Sequence, residues 1–207
     1  MQLVHFGHAC VLLDSGATRI LIDPGTFSAG FEDLTDLDAV LITHQHFDHI
    51  DPERLPALLE ANPQAQLIVD EGTVPDVENP TVARPGDVFK IGELAVKAVG
   101  GRHALIHEDI PVVPNAGYVI GDGAFYHPGD SLFVPDEDVD VLGVPAGAPW
   151  LRTGEAVDFL RAVKPRVAVP IHEKTLASVG MATRFFEMLK PEGTEVRQLK
   201  PGEATAV

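Results

Sequence analysis

Four side chains able to ligate a metal fall within six residues, His44-Gln45-His46-Phe47-Asp48-His49, directly after the apolar run Ala39-Val40-Leu41-Ile42-Thr43. Such a run predicts a buried strand that presents the histidines at its C-terminal end. On extended backbone, residues two apart face the same way, so His44 and His46 point together with Cα atoms about 6.5 Å apart. Imidazoles of that reach can converge on one cation at Zn–N distances of about 2.0–2.1 Å. Asp48 and His49 come where the chain is expected to turn, and can address a second position nearby. Burying this many imidazoles without a partner is costly. A metal centre at the mouth of a strand is therefore expected, rather than a polar loop that happens to be rich in histidine.

The 207 residues are expected to form one domain, 1–207, with a substantial core. A formal charge of −16 and the lack of any Lys/Arg cluster argue against a nucleic-acid binder. The scattered acidic residues read as a solvated surface. No apolar run approaches the roughly 20 residues that cross a bilayer. The opening Met1-Gln2-Leu3-Val4-His5 lacks the basic-then-apolar order of a secretory leader. Cys10, the single cysteine, sits in Ala9-Cys10-Val11-Leu12-Leu13 and reads as a buried hydrophobe. These features fit a cytoplasmic protein with a small-molecule substrate, no nucleic-acid partner and no membrane contact. They leave the oligomeric state open.

Strands are predicted at Val11-Leu12-Leu13 and Arg19-Ile20-Leu21-Ile22, joined by a turn at Ser15-Gly16-Ala17. Further strands are predicted at 66–69, 94–99, 117–120, 124–127, 140–144 and 167–171, with a hairpin turn at Gly121-Asp122-Gly123. Asp51-Pro52-Glu53 reads as a helix start, but Pro56 inside that helix would cost about 3 kcal/mol. The helix must begin later or start irregularly. Helical spacing recurs over 154–163 and again over 181–189, the latter stopped by Pro191. Strands in runs with interspersed helices suggest stacked sheets covered by helices.

Residues 44–49 match the His-x-His-x-Asp-His signature, and here the chain resembles the metallo-β-lactamase superfamily. Asp23 in Leu21-Ile22-Asp23-Pro24-Gly25, Asp130 in His127-Pro128-Gly129-Asp130 and His172 in Val169-Pro170-Ile171-His172 extend the resemblance along the chain. The opening Phe6-Gly7-His8-Ala9 and the Pro170-Ile171-His172 segment are similar to the branch that includes L-ascorbate-6-phosphate lactonase. The resemblance implies an α+β fold, a four-layer αββα sandwich with two divalent ions at one rim. One ion would take His44, His46 and a histidine from mid-chain, the other Asp48, His49 and His172, with Asp130 bridging. His103, just after Gly100-Gly101, is the preferred mid-chain ligand. His107 stays the alternative, about 13 Å further along extended chain. Asp23 would orient a histidine from behind. His5 and His8 read as ordinary structural histidines, His127 as a support or a core residue, and Trp150 as core or a substrate wall. Arg102, Arg152 and Lys174 lie near the expected rim.

Imidazole and carboxylate donors suit zinc, the default, and also manganese, iron or cobalt. Two cations sharing a water lower its pKa enough to supply hydroxide near neutral pH. The expected activity is hydrolysis of a small ester, lactone, amide or phosphoester by that metal-bound hydroxide, with Asp48 as the catalytic carboxylate. A nuclease or phosphodiesterase is the alternative within chemistry, disfavoured by the charge. A non-hydrolytic metal protein of the same fold is the alternative outside it, although redox relatives usually need a flavin module or partner domain for which 207 residues leave little room.

Overall fold

The computed structural model describes all 207 residues. The first half of the chain forms β1 (Gln2–His5), β2 (Val11–Asp14), β3 (Arg19–Ile22), β4 (Ala39–Ile42), α1 (Leu55–Ala61), β5 (Gln66–Val69) and β6 (Thr81–Val82). The second half forms β7 (Val88–Ile91), β8 (Leu94–Gly100), β9 (Ala116–Ile120), β10 (Phe125–His127), β11 (Val141–Pro145), α2 (Thr153–Val163), β12 (Val167–Ile171), α3 (Gly180–Leu189), β13 (Glu195–Val196) and β14 (Ala204–Ala206). One sheet runs β14-β1-β2-β3-β4-β5-β6 and the other β13-β12-β11-β10-β9-β8-β7. Each begins as an antiparallel meander and continues as parallel strands: β3 to β6 in the first sheet, β10 to β13 in the second.

The layers follow from which faces are apolar. Leu13, Ile20 and Leu41 of the first sheet meet Tyr118, Phe125 and Val169 of the second in the central core. The outer face of the second sheet packs Leu142 and Ala168 against Phe159, Leu160 and Phe186 of α2 and α3. On the other side, Val40, Ile42 and Val69 pack against Leu55 and Leu58 of α1 and against Phe31 and Leu37 of the loop before β4. The result is an α+β sandwich in four layers, αββα. Strand β4 is apolar at every position because both its faces are covered: Ala39 and Leu41 look inward, Val40 and Ile42 outward. None of the helices is long and apolar enough to cross a membrane.

Pro56 is accommodated by a late helix start. Helix α1 begins at Leu55, placing Pro56 in the first turn, where no backbone donor is lost. Asp51 still caps the approach, accepting the Glu53 and Arg54 amides at 2.9 Å each. Strand β7 was not foreseen, because Val88-Phe89-Lys90-Ile91 is short and largely exposed, with only Ile91 fully buried.

The sheets are tied together where β4 ends. Tyr118 of β9 donates its hydroxyl hydrogen to the Ile42 carbonyl at 2.8 Å, and the Ala116 amide donates to the Thr43 carbonyl at 2.8 Å. The second sheet thus supplies a donor to each of these two carbonyls at the end of β4. Tyr118→Phe keeps the shape and leaves the buried Ile42 carbonyl unpaired, so the expected loss is about 1–3 kcal/mol. Urea unfolding followed by fluorescence would measure it; a variant as stable as the wild type would deny the tie any energetic role.

Candidate metal centre

Strand ends from both sheets converge on one rim. His44, His46, Asp48 and His49 follow β4, Asp23 follows β3, His103 follows β8, Asp130 follows β10 and His172 follows β12. Two groups of donor atoms form there: His44, His46, His103 and Asp130, and His8, Asp48, His49 and His172. The expected ligand set, with the preferred His103 as the mid-chain histidine, lies in these two groups. The mid-chain histidine brought in is His103; His107 stays on the exposed loop, where its Nδ1 accepts the Asp109 amide at 3.1 Å. His8 is the member that sequence reasoning placed outside.

Each histidine ring is fixed from behind. The Nδ1–H of His49 donates to Asp23 Oδ2 at 2.6 Å, that of His172 to the Gly147 carbonyl at 2.7 Å, and that of His103 to the Ala104 carbonyl at 2.5 Å. The Thr43 hydroxyl donates to Asp23 Oδ2 at 2.7 Å, which leaves its oxygen to accept from His44 Nδ1 at 3.1 Å. All four rings therefore turn Nε2 inward. His46 is the exception, presenting Nδ1 at 3.0 Å from His44 Nε2. With the His46 proton moved to Nε2, both nitrogens could turn lone pairs toward a shared cation.

Asp130 stands between the groups. Its Oδ1 lies 3.0 Å from His49 Nε2 and 3.1 Å from His172 Nε2, while its Oδ2 lies 3.2 Å from His103 Nε2 and 3.9 Å from His44 Nε2. His49 Nε2, His103 Nε2, His172 Nε2 and Asp130 Oδ1 are nonetheless buried without a hydrogen bond of acceptable geometry. Four orphaned polar atoms in one buried cluster would be costly in a finished site. A pair of divalent cations would satisfy all of them, so the donor set fits the metals that the histidine run implies.

The carboxylate's aim is enforced locally. Gly129 has φ +61°, and a Cβ there would meet Asn115 Oδ1 at 2.4 Å and Thr43 Cβ at 2.7 Å. The turn closes against Thr43 only because this residue has no side chain. Asn115 then accepts the Asp130 amide at 2.9 Å and donates to the Pro128 carbonyl at 2.9 Å. Trp150 donates its indole N–H to Asp130 Oδ2 at 2.7 Å, and its ring stands edge-on to His103 and His172 at 5.8 and 6.3 Å. The single tryptophan is thus both a wall and a hydrogen-bond donor to the central carboxylate.

His8 supports Asp48. Its Nε2 lies 3.0 Å from Asp48 Oδ2, and its ring meets that of His172 with centroids 3.9 Å apart and planes tilted by 48°. The backbone is in the left-handed region at φ 56°, as are Asp23 and His172. It is held there by Glu173, which accepts its amide at 3.0 Å, and by the His172 amide and His5 Nε2, which donate to its carbonyl at 2.8 and 2.9 Å. Strain of this kind persists only where the surroundings over-determine it. His127 is a brace: it accepts the Gly129 amide at Nδ1 and donates from Nε2 to the Ala9 carbonyl at 2.8 Å. Of the rim cations, Arg152 is committed to Glu155 at 2.6 Å, and Lys174 lies over Gly7, where a Cβ would meet its Cε at 3.0 Å.

Protonation follows from burial and neighbours. Burial pushes the pKa of His44 well below the usual histidine range, and that of His46 downward, so both are neutral at pH 7. Burial acts the same way on His49, but the carboxylates of Asp130 and Asp23 outweigh it and raise its pKa well above the usual value. Asp48 resists the upward push of burial through the hydrogen bond from His8 and the charge of His49, and falls to about 2. In metal-free protein His49 therefore carries a proton, which a cation on Nε2 must displace.

Loading metal-free protein near pH 7 should thus release about one proton per chain from His49, with apparent affinity rising as pH rises. Indicator titration in weak buffer measures this; uptake with no proton release contradicts the protonation assigned to His49. Trp150→Phe keeps the wall and removes the donor to Asp130, and should lower metal affinity or turnover about 10–100-fold. Chelator competition reads the first and steady-state kinetics the second.

A family profile described as "Beta-lactamase superfamily domain" matches residues 2–172. Protein Rv0786c of Mycobacterium tuberculosis is 56% identical over 182 residues, 86% of each chain. A UPF0173 metal-dependent hydrolase of Aeropyrum pernix is 27% identical over 98% of this chain and 96% of its own. Among solved structures, Igni18, a metallo hydrolase from Ignicoccus hospitalis, superposes with a TM-score of 0.74 at 22% identity over 99% of this chain and 97% of its own. The chain belongs to the metallo-β-lactamase superfamily.

Proposed function

We propose that the two donor groups hold two divalent cations, zinc by default, and that the protein hydrolyses a small ester, lactone, amide or phosphoester. The observation that carries this reading is the set of orphaned Nε2 atoms facing a carboxylate whose two oxygens address different groups. When bound, the cations supply Lewis-acid charge and lower the pKa of a water they share. The remaining work belongs to the chain. Asp130 spaces the two positions, and Trp150 and Asn115 hold it in place. Asp48 is half-buried on the open side of the second group. With its pKa near 2 it stays ionised at neutral pH, so it suits holding and orienting a water better than storing its proton.

The substrate reading rests on access and charge. His44, His49, His103, Asp130 and His172 are buried, whereas His46 and Asp48 are half-buried, so the centre opens on their side. A largely buried centre on a chain of net charge −16 favours a small molecule over a polyanionic strand.

Purified protein reconstituted with zinc should hold close to two ions per chain by elemental analysis. It should hydrolyse at least one of a panel of lactones, phosphodiesters and thioesters, and lose that activity to chelator. Asp130→Ala should cut it about 100-fold or more. Protein that takes up no ion, or whose hydrolysis survives both chelation and Asp130→Ala, would refute the proposal.

A further inference from the structure

The loops around the centre expose apolar side chains on a chain otherwise rich in surface carboxylates. Phe27, Phe47 and Val74 lie on one side, with Val74 93% exposed; Leu105, Ile106 and Ile110 lie on the other. Exposed apolar residues gathered beside a reactive centre mark a binding surface more often than chance packing. The two sides differ in room. On the Ile106 and Ile110 side, the space beside His46 and His103 is about 10 Å³, too small for a ligand group. On the Phe47 side, a cavity of about 500 Å³ opens between the 45–56 segment and the 72–77 loop, walled by Phe47, Ile50, Leu55, Val74 and Val77. That is the size and the lining of a small-molecule pocket.

No donor residue lines this cavity itself, but Phe47 on its wall neighbours two of them in the chain. It lies between His46 and Asp48 in the chain, and its ring meets Phe27 at 5.4 Å. Phe27 in turn meets the His8 ring at 5.1 Å. The only charged residue lining the cavity is Asp76, and no cation lines it. An anionic group would find repulsion there and no partner, while an uncharged apolar group would be sheltered.

We propose that the substrate carries an uncharged apolar arm, which lies in the cavity between Phe47 and Val74 while its hydrolysable group faces the donor groups. The inference rests on the metal-dependent reading and narrows its substrate class to apolar esters, lactones or thioesters.

Straight-chain hydroxamates test it, because the head chelates a cation and the tail reports on the cavity. Zinc-loaded protein should bind octanohydroxamate at least tenfold more tightly than acetohydroxamate by calorimetry. Full burial would give about fourfold per methylene, and an open cavity less. Val74→Asp, a surface change that spares the core, should collapse that ratio several-fold. Met188→Asp on α3, at a residue 65% exposed, should leave it unchanged. Equal affinity for the two lengths, or a ratio indifferent to Val74→Asp, overturns the apolar arm and leaves the metal reading standing. Hydroxamate binding that is the same with and without zinc overturns the metal reading and this inference together.

Discussion

A buried imidazole can offer a lone pair to a cation only if its other nitrogen has somewhere to put its proton. The centre is built around that requirement. Asp23, the Gly147 and Ala104 carbonyls and the Thr43 hydroxyl each take one Nδ1–H, and each thereby selects the tautomer that turns Nε2 inward. The acceptors come from four separate loops, so ring orientation depends on the whole sandwich closing correctly. Thr43 couples two of the rings, since its hydroxyl serves Asp23 on one side and His44 on the other.

The topology explains why those acceptors meet. Parallel strands bring their carboxyl ends to the same edge, and both sheets contain a parallel set. Packed face to face, the two sets end at a common rim, where irregular backbone is free to carry chemistry. Left-handed residues at Asp23, His8 and His172 make the sharp departures from the strands that aim side chains back across the rim.

Much of this was legible in the residues alone, and the failures have identifiable causes. The dense signal at 44–49, the apolar runs behind it and the glycine turn before Asp130 carry their meaning in local spacing. Helix α1 was correctly expected to be troubled by Pro56, and the structure resolves the conflict by starting it at Leu55. His8 reads as a structural histidine because a lone histidine beside a strand has no pattern; its contact with Asp48 spans 40 residues of sequence. The hydrogen bond from Trp150 to Asp130 and the brace from Asn115 are likewise contacts of tertiary structure, without periodicity or motif. The Gly-His pair at 7–8, with both residues at positive φ, was the one local hint that the chain bends sharply there for a reason.

The two sheets come from successive halves of the chain, apart from the terminal β14, which returns to pair with β1. Each donor group draws side chains from both halves: His44 and His46 with His103, and Asp48 and His49 with His172. Any cation seated there would act as a clasp across the seam, adding its binding free energy to the cohesion of the halves. Catalytic competence and mechanical integrity would then share one fastening, and a chain that loosened its sandwich would surrender its reactivity in the same motion.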